Sequence, residues 1–378
     1  MNYIPKLEDF MKAWEDNRVF KCENEHFVGF KYNICTVYNA DWDSVTLSAR
    51  GIAFDKETGE CVAYPFTKFF NYQELICEDG TEKELMAKVK QYDIVPNFGM
   101  KFRVMDKLDG SLGIAFYDRY ADKWQVKTGG SFESEQALWA THWLNTNVQC
   151  NALMNRNYTY CFEIIYDADL HPINYNFEGL VLLGILDKTL YQELPLCIVK
   201  MEAEKLGLRV AESIEFNTFN DVIPYATNLP NDKEGVVVTF FDNRGYTHFK
   251  VKLKGKEFLE LQRSFHAITY ETIWEHMDPE IGLVDKEYVQ SIPEEMPDMK
   301  AFAKQLEADF VKNKKRVETF IYNIKSDTPR VEVYNLAVEE FKEDPALING
   351  AMKMYTGIIK NTNYTSQLNT SIIKSIKP

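Results

Sequence analysis

Lys107 stands in the segment KLDGS, directly before LGIAFYD, whose alternating pattern predicts a β-strand. A lysine amine is almost fully protonated at neutral pH, but burial or neighbouring cations favour its neutral, nucleophilic form. Gly110 would permit a tight turn or a close approach of another backbone. The motif alone leaves two interpretations: Lys107 is a nucleophile, or it is an ordinary charge on a hairpin turn.

A second set of charges lies in the segment KEGVVVTFFDNRGYTHFKVKLKG, which predicts a β-hairpin closed by the turn DNRG. Lys250 and Lys252 are two residues apart, so both side chains point to one face of the returning strand. Two cations on an inward face require an anion there. The alternative is a solvated face whose lysines favour solubility.

Glu234 directly precedes the first strand of this hairpin. It is a candidate for binding a metal ion, and the alternative is an acid in a loop. Glu178 begins a similar segment, EGLVLLGI, but no hairpin with paired lysines follows it. We therefore favour Glu234 over Glu178.

Four more candidate side chains lie upstream, and for Arg50 and Lys68 the alternative is an ordinary surface residue. Arg50 begins the strand-like run RGIAFD, and its planar guanidinium suits phosphate oxygens. Lys68 and Phe70, in TKFFN, share one face by the same period of two. Glu163 lies inside the apolar run YCFEIIY, where an unpaired carboxylate is costly, so it requires a partner or a ligand hydroxyl.

The elements that must position these residues are mixed as far as about residue 257. Short runs rich in β-branched and aromatic residues alternate irregularly with helical stretches, which predicts an α+β fold. Beyond that point the pattern is helical, with Pro293 and Pro297 marking a connection. We predict two domains, residues 1–257 and a smaller all-helical domain at residues 258–378.

Composition limits the class of protein. The 378 residues carry a net charge of −14, which argues against coating nucleic acid through a general positive field but allows a local basic groove. One basic run occurs in the C-terminal region; it comprises Lys312, Lys314, Lys315 and Arg316. The seven dispersed cysteines match neither a zinc site nor a disulfide framework, and no apolar run reaches the roughly 20 residues that span a bilayer. We predict a cytosolic protein.

The motifs RG, KFFN, KxDGS, FE, EGVV and KVK follow one another in this order along the chain. This order resembles the covalent nucleotidyltransferase superfamily, and within it the phage RNA ligases of the first type, the tRNA-repair ligases of T-even bacteriophages. The resemblance covers essentially the whole chain. It implies an adenylation domain built on antiparallel sheets, followed by an all-helical domain that helps to select structured RNA.

The resemblance implies a role for each of the candidate residues. Lys107 would be the nucleophile that takes AMP from ATP, and Glu234 would help to place the metal ion. Lys250 and Lys252 would grip the α-phosphate.

The upstream residues would bind the rest of the nucleotide. Arg50 and Lys68 would hold the outgoing phosphates, with Phe70 packed beneath them. Glu163 would hydrogen-bond the ribose hydroxyls. This crowd of cations would also favour the neutral form of the nucleophile.

The sequence departs from the family pattern at two places. A basic residue is expected in the Gly-Ser segment after the lysine-bearing strand, but this chain reads VKTGGSF, with Lys127 two residues early. The segment LVLLGIL contains no aromatic residue to stack on adenine, so Leu182 or Leu183 would supply an aliphatic surface instead.

The resemblance implies an ATP-dependent RNA ligase that uses Mg²⁺, or alternatively Mn²⁺, and acts on RNA, with nicked tRNA as the expected substrate. We expect a monomeric phage protein in the host cytoplasm. One alternative is another covalent nucleotidyltransferase, a DNA ligase or a capping enzyme, which usually carries an OB-fold after the KxK element. The other alternative is a nucleotide- or RNA-binding protein without catalysis.

Overall fold

The computed structural model describes residues 3–77, 79–90, 99–169, 171–292, 296–342 and 344–378. Contacts divide the chain into two compact units, Met1–Leu259 and Glu260–Pro378. The predicted boundary between residues 257 and 258 falls next to this division. Pro293 lies outside the described residues, and Pro297 is the first residue of a long helix, where its missing N–H costs no hydrogen bond.

All of the strands in the described ranges belong to the first unit. They are β1 (Val19–Glu23), β2 (Phe27–Tyr32), β3 (Arg50–Asp55), β4 (Cys61–Ala63), β5 (Phe70–Asn71), β6 (Lys101–Lys107), β7 (Ser111–Asp118), β8 (Lys123–Lys127), β9 (Tyr158–Ile165), β10 (Gly179–Asp187), β11 (Gln192–Glu193), β12 (Arg209–Val210), β13 (Ser213–Ile214), β14 (Gly235–Phe241) and β15 (Thr247–Lys254).

The helices lie between these strands and throughout the second unit. They are α1 (Leu7–Glu15), α2 (Ile34–Asn39), α3 (Ser44–Ser48), α4 (Tyr72–Leu75), α5 (Glu84–Lys90), α6 (Glu135–Thr146), α7 (Val148–Leu153), α8 (Leu196–Leu206), α9 (Phe219–Thr227), α10 (Lys256–Ala267), α11 (Tyr270–Glu275), α12 (Lys286–Ser291), α13 (Pro297–Tyr322), α14 (Arg330–Glu340), α15 (Pro345–Lys360) and α16 (Thr365–Ser375). In the ranges described above, no helix combines the length and the apolar character that crossing a membrane requires.

The described strands form three sheets. A four-stranded sheet has the order β1-β2-β3-β4, a five-stranded sheet has the order β13-β6-β14-β15-β5, and a six-stranded sheet has the order β11-β10-β9-β7-β8 with β12 added beside β10. The pairings are antiparallel except for β5 with β15 and β12 with β10. The predicted α+β class, with antiparallel sheets followed by a helical region, is confirmed.

The five-stranded sheet separates an apolar face from a polar one because its strands alternate in side-chain direction. On β15, Phe249, Val251 and Leu253 are buried in a core that also contains Val222 and Phe219 of α9. The lysines between them therefore project from the opposite face. This alternation is what directs the cations of β15 away from the core.

The second unit is held together by its own core. The 26-residue helix α13 packs against α15 and α16 and contributes Leu306, Phe310 and Val317 to the buried cluster. Ala351 of α15 and Ile372 of α16 pack into the same cluster. This unit therefore buries a hydrophobic core of its own.

Candidate functional site

Lys107 is the last residue of β6, and the chain then crosses from the five-stranded sheet to β7 of the six-stranded sheet. Gly110 lies in this crossing, where a Cβ atom would sit 2.6 Å from the carbonyl oxygen of Ile164. Since real Cβ atoms do not approach so closely, the turn accepts only glycine without rearrangement. The KxDG motif thus places a lysine where two sheets meet.

Glu234 is the partner of this lysine. Its Oε2 lies 2.5 Å from the Nζ of Lys107, and its Oε1 lies 2.9 Å from the Nζ of Lys254. The carboxylate is only 3% exposed, so both ion pairs are shielded from solvent. The strand register explains the arrangement, because Lys107 and Lys254 both lie opposite Gly235 in the sheet.

Lys254 was missed by the sequence analysis. It continues the period of two that begins with Lys250 and Lys252, and that spacing was the available signal. The family motif KVK ends at Lys252, two residues before Lys254.

The two predicted lysines of β15 have different surroundings. Burial and the charges of Lys68, Arg50 and Lys107 lower the pKa of Lys252 to about 7. Lys250 instead lies 2.8 Å from the carboxylate of Glu193, with both side chains 9% exposed. The structure therefore groups Lys252 with the other predicted cations, whereas Lys250 is neutralised by an acid of the six-stranded sheet.

Arg50, at the start of β3, is partly buried, with its guanidinium 4.3 Å from the centre of the Phe69 ring. Burial lowers its pKa. Among the residues that the structure describes, its Nη1 atom has no hydrogen-bond partner. A buried guanidinium donor without a partner is costly, and a phosphate oxygen is a suitable acceptor for it.

Lys68 is surrounded by aromatic rings. Its Nζ lies 5.3 Å from the ring centre of Tyr32, 5.6 Å from that of Trp42 and 4.9 Å from that of Phe70. Burial lowers its pKa, and the positive charge of Arg50 acts in the same direction. The rings attract the ammonium group and restrict where it can lie, so Phe70 supports Lys68 at a fixed place.

Glu163 lies on β9, 8% exposed, and its side chain packs against Gly110, in the turn that follows Lys107. Burial raises its pKa to about 7, although the charge of Lys107 works against this rise. The carboxyl group therefore changes its protonation state near neutral pH. The structure brings it to the same turn as Lys107.

Lys127 is buried and bound to backbone carbonyl groups, which indicates a structural role. It is fully buried and donates hydrogen bonds to the carbonyl oxygens of Gly51, at 3.2 Å, and Thr128, at 2.7 Å. Burial lowers its pKa to about 8. Lys31 of β2 lies beside Gly129, which follows Lys127 in the Gly-Ser segment. A Cβ atom on Gly129 would be 3.6 Å from the Lys31 side chain.

The two leucines considered for adenine stacking are not equivalent. Leu182 is completely buried within the core of the six-stranded sheet, so its side chain is not open to a ligand. Leu183 is partly exposed and lies at the irregularity between β10 and β9. Of the two leucines, only Leu183 has a side chain that is exposed enough to contact an adenine ring.

The comparisons agree with the motif order. A family model described as RNA ligase matches residues 48–258, more than half of the chain. A curated protein of Thermovibrio ammonificans, named "Putative RNA ligase", is 26% identical over 276 residues, which are 70% of this chain and 65% of that protein. The chain thus matches slightly less than two thirds of the length of that relative.

Solved structures of Naegleria gruberi RNA ligase are also similar. A mutant form with ATP and Mn is 18% identical with a TM-score of 0.39, covering 53% of this chain and 59% of the other. A form with PPi is 18% identical with a TM-score of 0.38, covering 53% and 60%. Because the family model covers more than half of the chain, the protein belongs to the phage-type RNA ligase family of the covalent nucleotidyltransferase superfamily.

Proposed function

We propose that this protein is an ATP-dependent RNA ligase that joins 5′-phosphate and 3′-hydroxyl RNA ends through a covalent lysyl-AMP intermediate. The observation that carries the proposal is the convergence on Lys107. Its amine contacts the buried Glu234, and Arg50, Lys68 and Lys252 lie close enough to influence one another's charge. A lysine at the end of a strand and within a pocket of cations suits attack on a polyphosphate.

The cations favour ATP as the anion that they bind. The pKa values of Lys68 and Lys252 are lowered by burial and by like charges, and Arg50 has an unpartnered buried donor. A triphosphate would supply both the missing negative charge and the missing hydrogen-bond acceptors. Lys68 and Arg50 would hold the leaving phosphates, and Lys252 would hold the α-phosphate.

A divalent cation, Mg²⁺ or Mn²⁺, fits this site as a companion of the nucleotide. Within the described residues, no group of three or more histidine, cysteine or carboxylate side chains is placed to hold a metal ion. Such ions are commonly held by one or two carboxylates together with phosphates. Glu234 would be the carboxylate here, and the ion would neutralise charge on the triphosphate.

The proposed reaction has three steps that share one pocket. The Lys107 nitrogen attacks the α-phosphorus, forms an N–P bond and expels pyrophosphate, while Glu234 is the nearest acceptor for its proton. A 5′-phosphate of RNA then attacks the same phosphorus, breaking the N–P bond and forming an RNA adenylate. Finally a 3′-hydroxyl attacks the activated phosphate, forms the phosphodiester bond and releases AMP.

Glu163 would accept hydrogen bonds from the ribose hydroxyls at the turn that follows Lys107. Its pKa of about 7, raised by burial, makes this role sensitive to pH. Lys250 has a smaller proposed role than its neighbour. Because Glu193 already neutralises it, it would act on the α-phosphate only after leaving that pair.

The second unit offers a surface for the RNA substrate. Lys312, Lys315 and Arg316 of α13 line an open groove of about 930 Å³ together with Lys342, and these four cations outnumber the two acids of the lining, Glu339 and Glu340. Phe320 also lines this groove, where its aromatic ring would contact an RNA base. We propose that this groove contacts the RNA backbone and contributes to a preference for nicked tRNA.

The alternatives remain testable. A helical segment, α10, follows β15, whereas DNA ligases and capping enzymes usually carry an OB-fold at that place. The motif order and the cation pocket support catalysis rather than nucleotide binding alone. The phage origin, the cytoplasmic location and the monomeric state stay predictions.

The decisive experiment is labelling with α-³²P-ATP and Mg²⁺, followed by denaturing electrophoresis. We expect label on the wild type and none on Lys107→Ala. Lys101→Ala is the matched control, since Lys101 is an exposed lysine at the other end of the same strand. An unlabelled wild type would favour a binding protein, and labelling by GTP in place of ATP would favour a capping enzyme.

The second stage identifies the polynucleotide. We expect sealing of a nicked tRNA with 5′-phosphate and 3′-hydroxyl ends, and no sealing of a nick in duplex DNA. Sealing of the DNA nick alone would overturn the choice of RNA. Equal sealing of nicked tRNA and of unstructured RNA would overturn the preference for tRNA.

A further inference from the structure

The segment between β9 and β10 contacts the turn at 108–110, which follows Lys107 and is called the nucleophile turn below. The backbone N–H of Asp109 donates a hydrogen bond of 2.8 Å to the hydroxyl of Tyr175. The Oδ2 atom of Asp109 accepts the backbone N–H of Ile173 at 3.2 Å. Its Oδ1 atom lies 3.5 Å from the Nδ1 of His171. Three residues of one segment therefore contact a single, 7% exposed aspartate two positions after Lys107.

His171 also contacts a second carboxylate. Its Nε2 lies 3.1 Å from the Oδ2 of Asp169, a close ion pair rather than an aligned hydrogen bond. Asp169 is itself held by the side chain of Gln136, at 3.0 Å. Although burial opposes the charge, the two aspartates outweigh it and raise the pKa of His171 to about 10. The imidazole is therefore charged at neutral pH and bridges two acids.

The segment is closed at its base. The carboxylate of Glu178 accepts the backbone N–H of Asp167 at 2.9 Å, which ties the two ends of the segment together. Glu178, which resembled Glu234 in the sequence, thus has a local structural contact. This hydrogen bond joins the ends of the segment that carries His171 to Asp109.

We propose that His171 is a positioning residue for adenylation, which fixes the Asp109 carboxylate and through it the turn that carries Lys107. This inference rests on the proposed function. Lys107 precedes a crossing between two sheets, so strand pairing holds it on one side only. Anchoring Asp109 supplies the restraint on the other side. A nucleophile displaced by about 1 Å can lose roughly 100-fold in rate.

The competing explanation is an effect through Glu163. The charge of His171 lowers the pKa of that carboxyl group, although burial dominates it. If His171 acted mainly there, its loss would weaken nucleotide binding. Action through the turn would instead slow the chemical step at saturating ATP, so the two routes separate in kcat and KM.

The experiment measures two reactions in His171→Ala and His171→Gln. One is formation of the lysyl adenylate over a range of ATP concentrations. The other is joining of chemically preadenylated RNA, which does not require attack by Lys107. The control is His142→Ala, because His142 is an exposed histidine of α6.

We expect kcat for adenylation to fall about tenfold in both variants, with KM for ATP within about twofold and joining of preadenylated RNA within about threefold. His142→Ala should match the wild type in every measurement. Unchanged adenylation would overturn the proposal. So would a rise in KM alone, or an equal fall in both reactions, which would indicate a general loss of structure.

Asp169→Asn provides a second test if the His171 variants unfold, because it removes the charge of the outer carboxylate. We expect adenylation to slow about threefold, with joining of preadenylated RNA preserved; equal adenylation rates in Asp169→Asn and wild type would overturn the proposal. A wild type that forms no adenylate would overturn the proposed function and this inference together. A wild type that forms adenylate, beside normal His171 variants, would overturn the inference alone.

Discussion

Cations cluster in two regions of this protein, but the clusters differ in their exposure to water. In the first unit Arg50, Lys68 and Lys252 are partly buried, and burial lowers the pKa of each. In the second unit Lys312 and Arg316 are exposed to solvent along the groove. From this difference we expect two kinds of anion recognition within one chain.

Burial makes the first cluster selective and costly. A charge removed from water is stabilised only by a partner that fits its position, so a small, highly charged ligand is favoured there. The exposed cluster carries no such cost and tolerates many geometries. It suits an extended backbone, whose binding depends on counterion release and therefore on salt.

The largest expected effect concerns the lysines of β15. We expect Lys252→Met to slow adenylation by at least about 100-fold, because the positive charge that would contact the reacting phosphate is lost. Lys250→Met combined with Glu193→Gln removes one cation and one acid, so the net charge of the site is unchanged, although Arg103, 3.6 Å from Glu193, also loses its acid; we expect a loss below about tenfold. Both are measured by single-turnover labelling with ATP. A double variant that falls as far as Lys252→Met would contradict the grouping of Lys252 with the active cations.

The next prediction concerns the cost of burying charge. The folded state raises the pKa of Glu163 to about 7 from an ordinary value of 4.5, so its ionisation penalises folding at high pH and disappears at low pH. We expect Glu163→Gln to increase the free energy of unfolding by about 3 kcal/mol at pH 8 and by nearly nothing at pH 4.5.

The measurement is urea denaturation of the nucleotide-free protein at the two pH values. Glu204→Gln is the control, since Glu204 is an exposed acid on α8. A gain that is equal at both pH values would show that the carboxyl group is not penalised by ionisation. The prediction for Glu163 would then be wrong.

A smaller effect is expected in the groove. Replacing Lys312, Lys315 and Arg316 together by alanine should weaken RNA binding about tenfold at low salt, with the difference shrinking as salt increases. Adenylation without RNA should stay within about twofold of the wild type, because the substituted side chains are exposed and lie in the other unit.

Lys314 provides the matched control for the groove. It belongs to the same basic run but lies near the ring of Phe310 rather than along the groove wall, so Lys314→Ala should bind RNA like the wild type. Fluorescence anisotropy with a labelled nicked tRNA measures both variants. Equal losses in the triple variant and in Lys314→Ala would remove the case for the groove.

The smallest effect is a fractional proton uptake. The pKa of Lys252 is about 7 in the free protein, so this lysine is mostly neutral at pH 8 and mostly charged at pH 6. A triphosphate should restore its charge, and binding of a non-hydrolysable ATP analogue should take up part of a proton at pH 8 but little at pH 6. Titration calorimetry in two buffers of different ionisation enthalpy measures this, and Lys252→Met should lose the pH 8 uptake.

The sequence predicted the strands of the site more accurately than their grouping into sheets. The run RGIAFD coincides with β3, and the hairpin of β14 and β15 lies where the alternation placed it. The run CVAYPFTKFFN, by contrast, contains only the short β4 and β5, which belong to different sheets. Pro65 lies between them and cannot donate a ladder hydrogen bond.

The first two strands were not predicted at all. β1 and β2 follow a charged, amphipathic N-terminal helix, and the side chains of β1 alternate only weakly between buried and exposed positions. β1 pairs with β2, and β2 pairs in turn with β3, which brings Lys31 beside Arg50. The pairing of β2 with β3 joins residues that are far apart in the sequence, so no local sequence pattern predicts it.

The sequence by itself determined which residue types stand in which order and which of them share a face. It placed Lys107 before a strand, and it aligned Lys250 with Lys252, because side-chain direction in a strand follows from position alone. Only the tertiary structure decided the partners. Lys254 reaches Glu234, Lys250 reaches Glu193 and His171 reaches Asp109, because these contacts depend on strand register and on the crossing between sheets, and neither is encoded by local spacing.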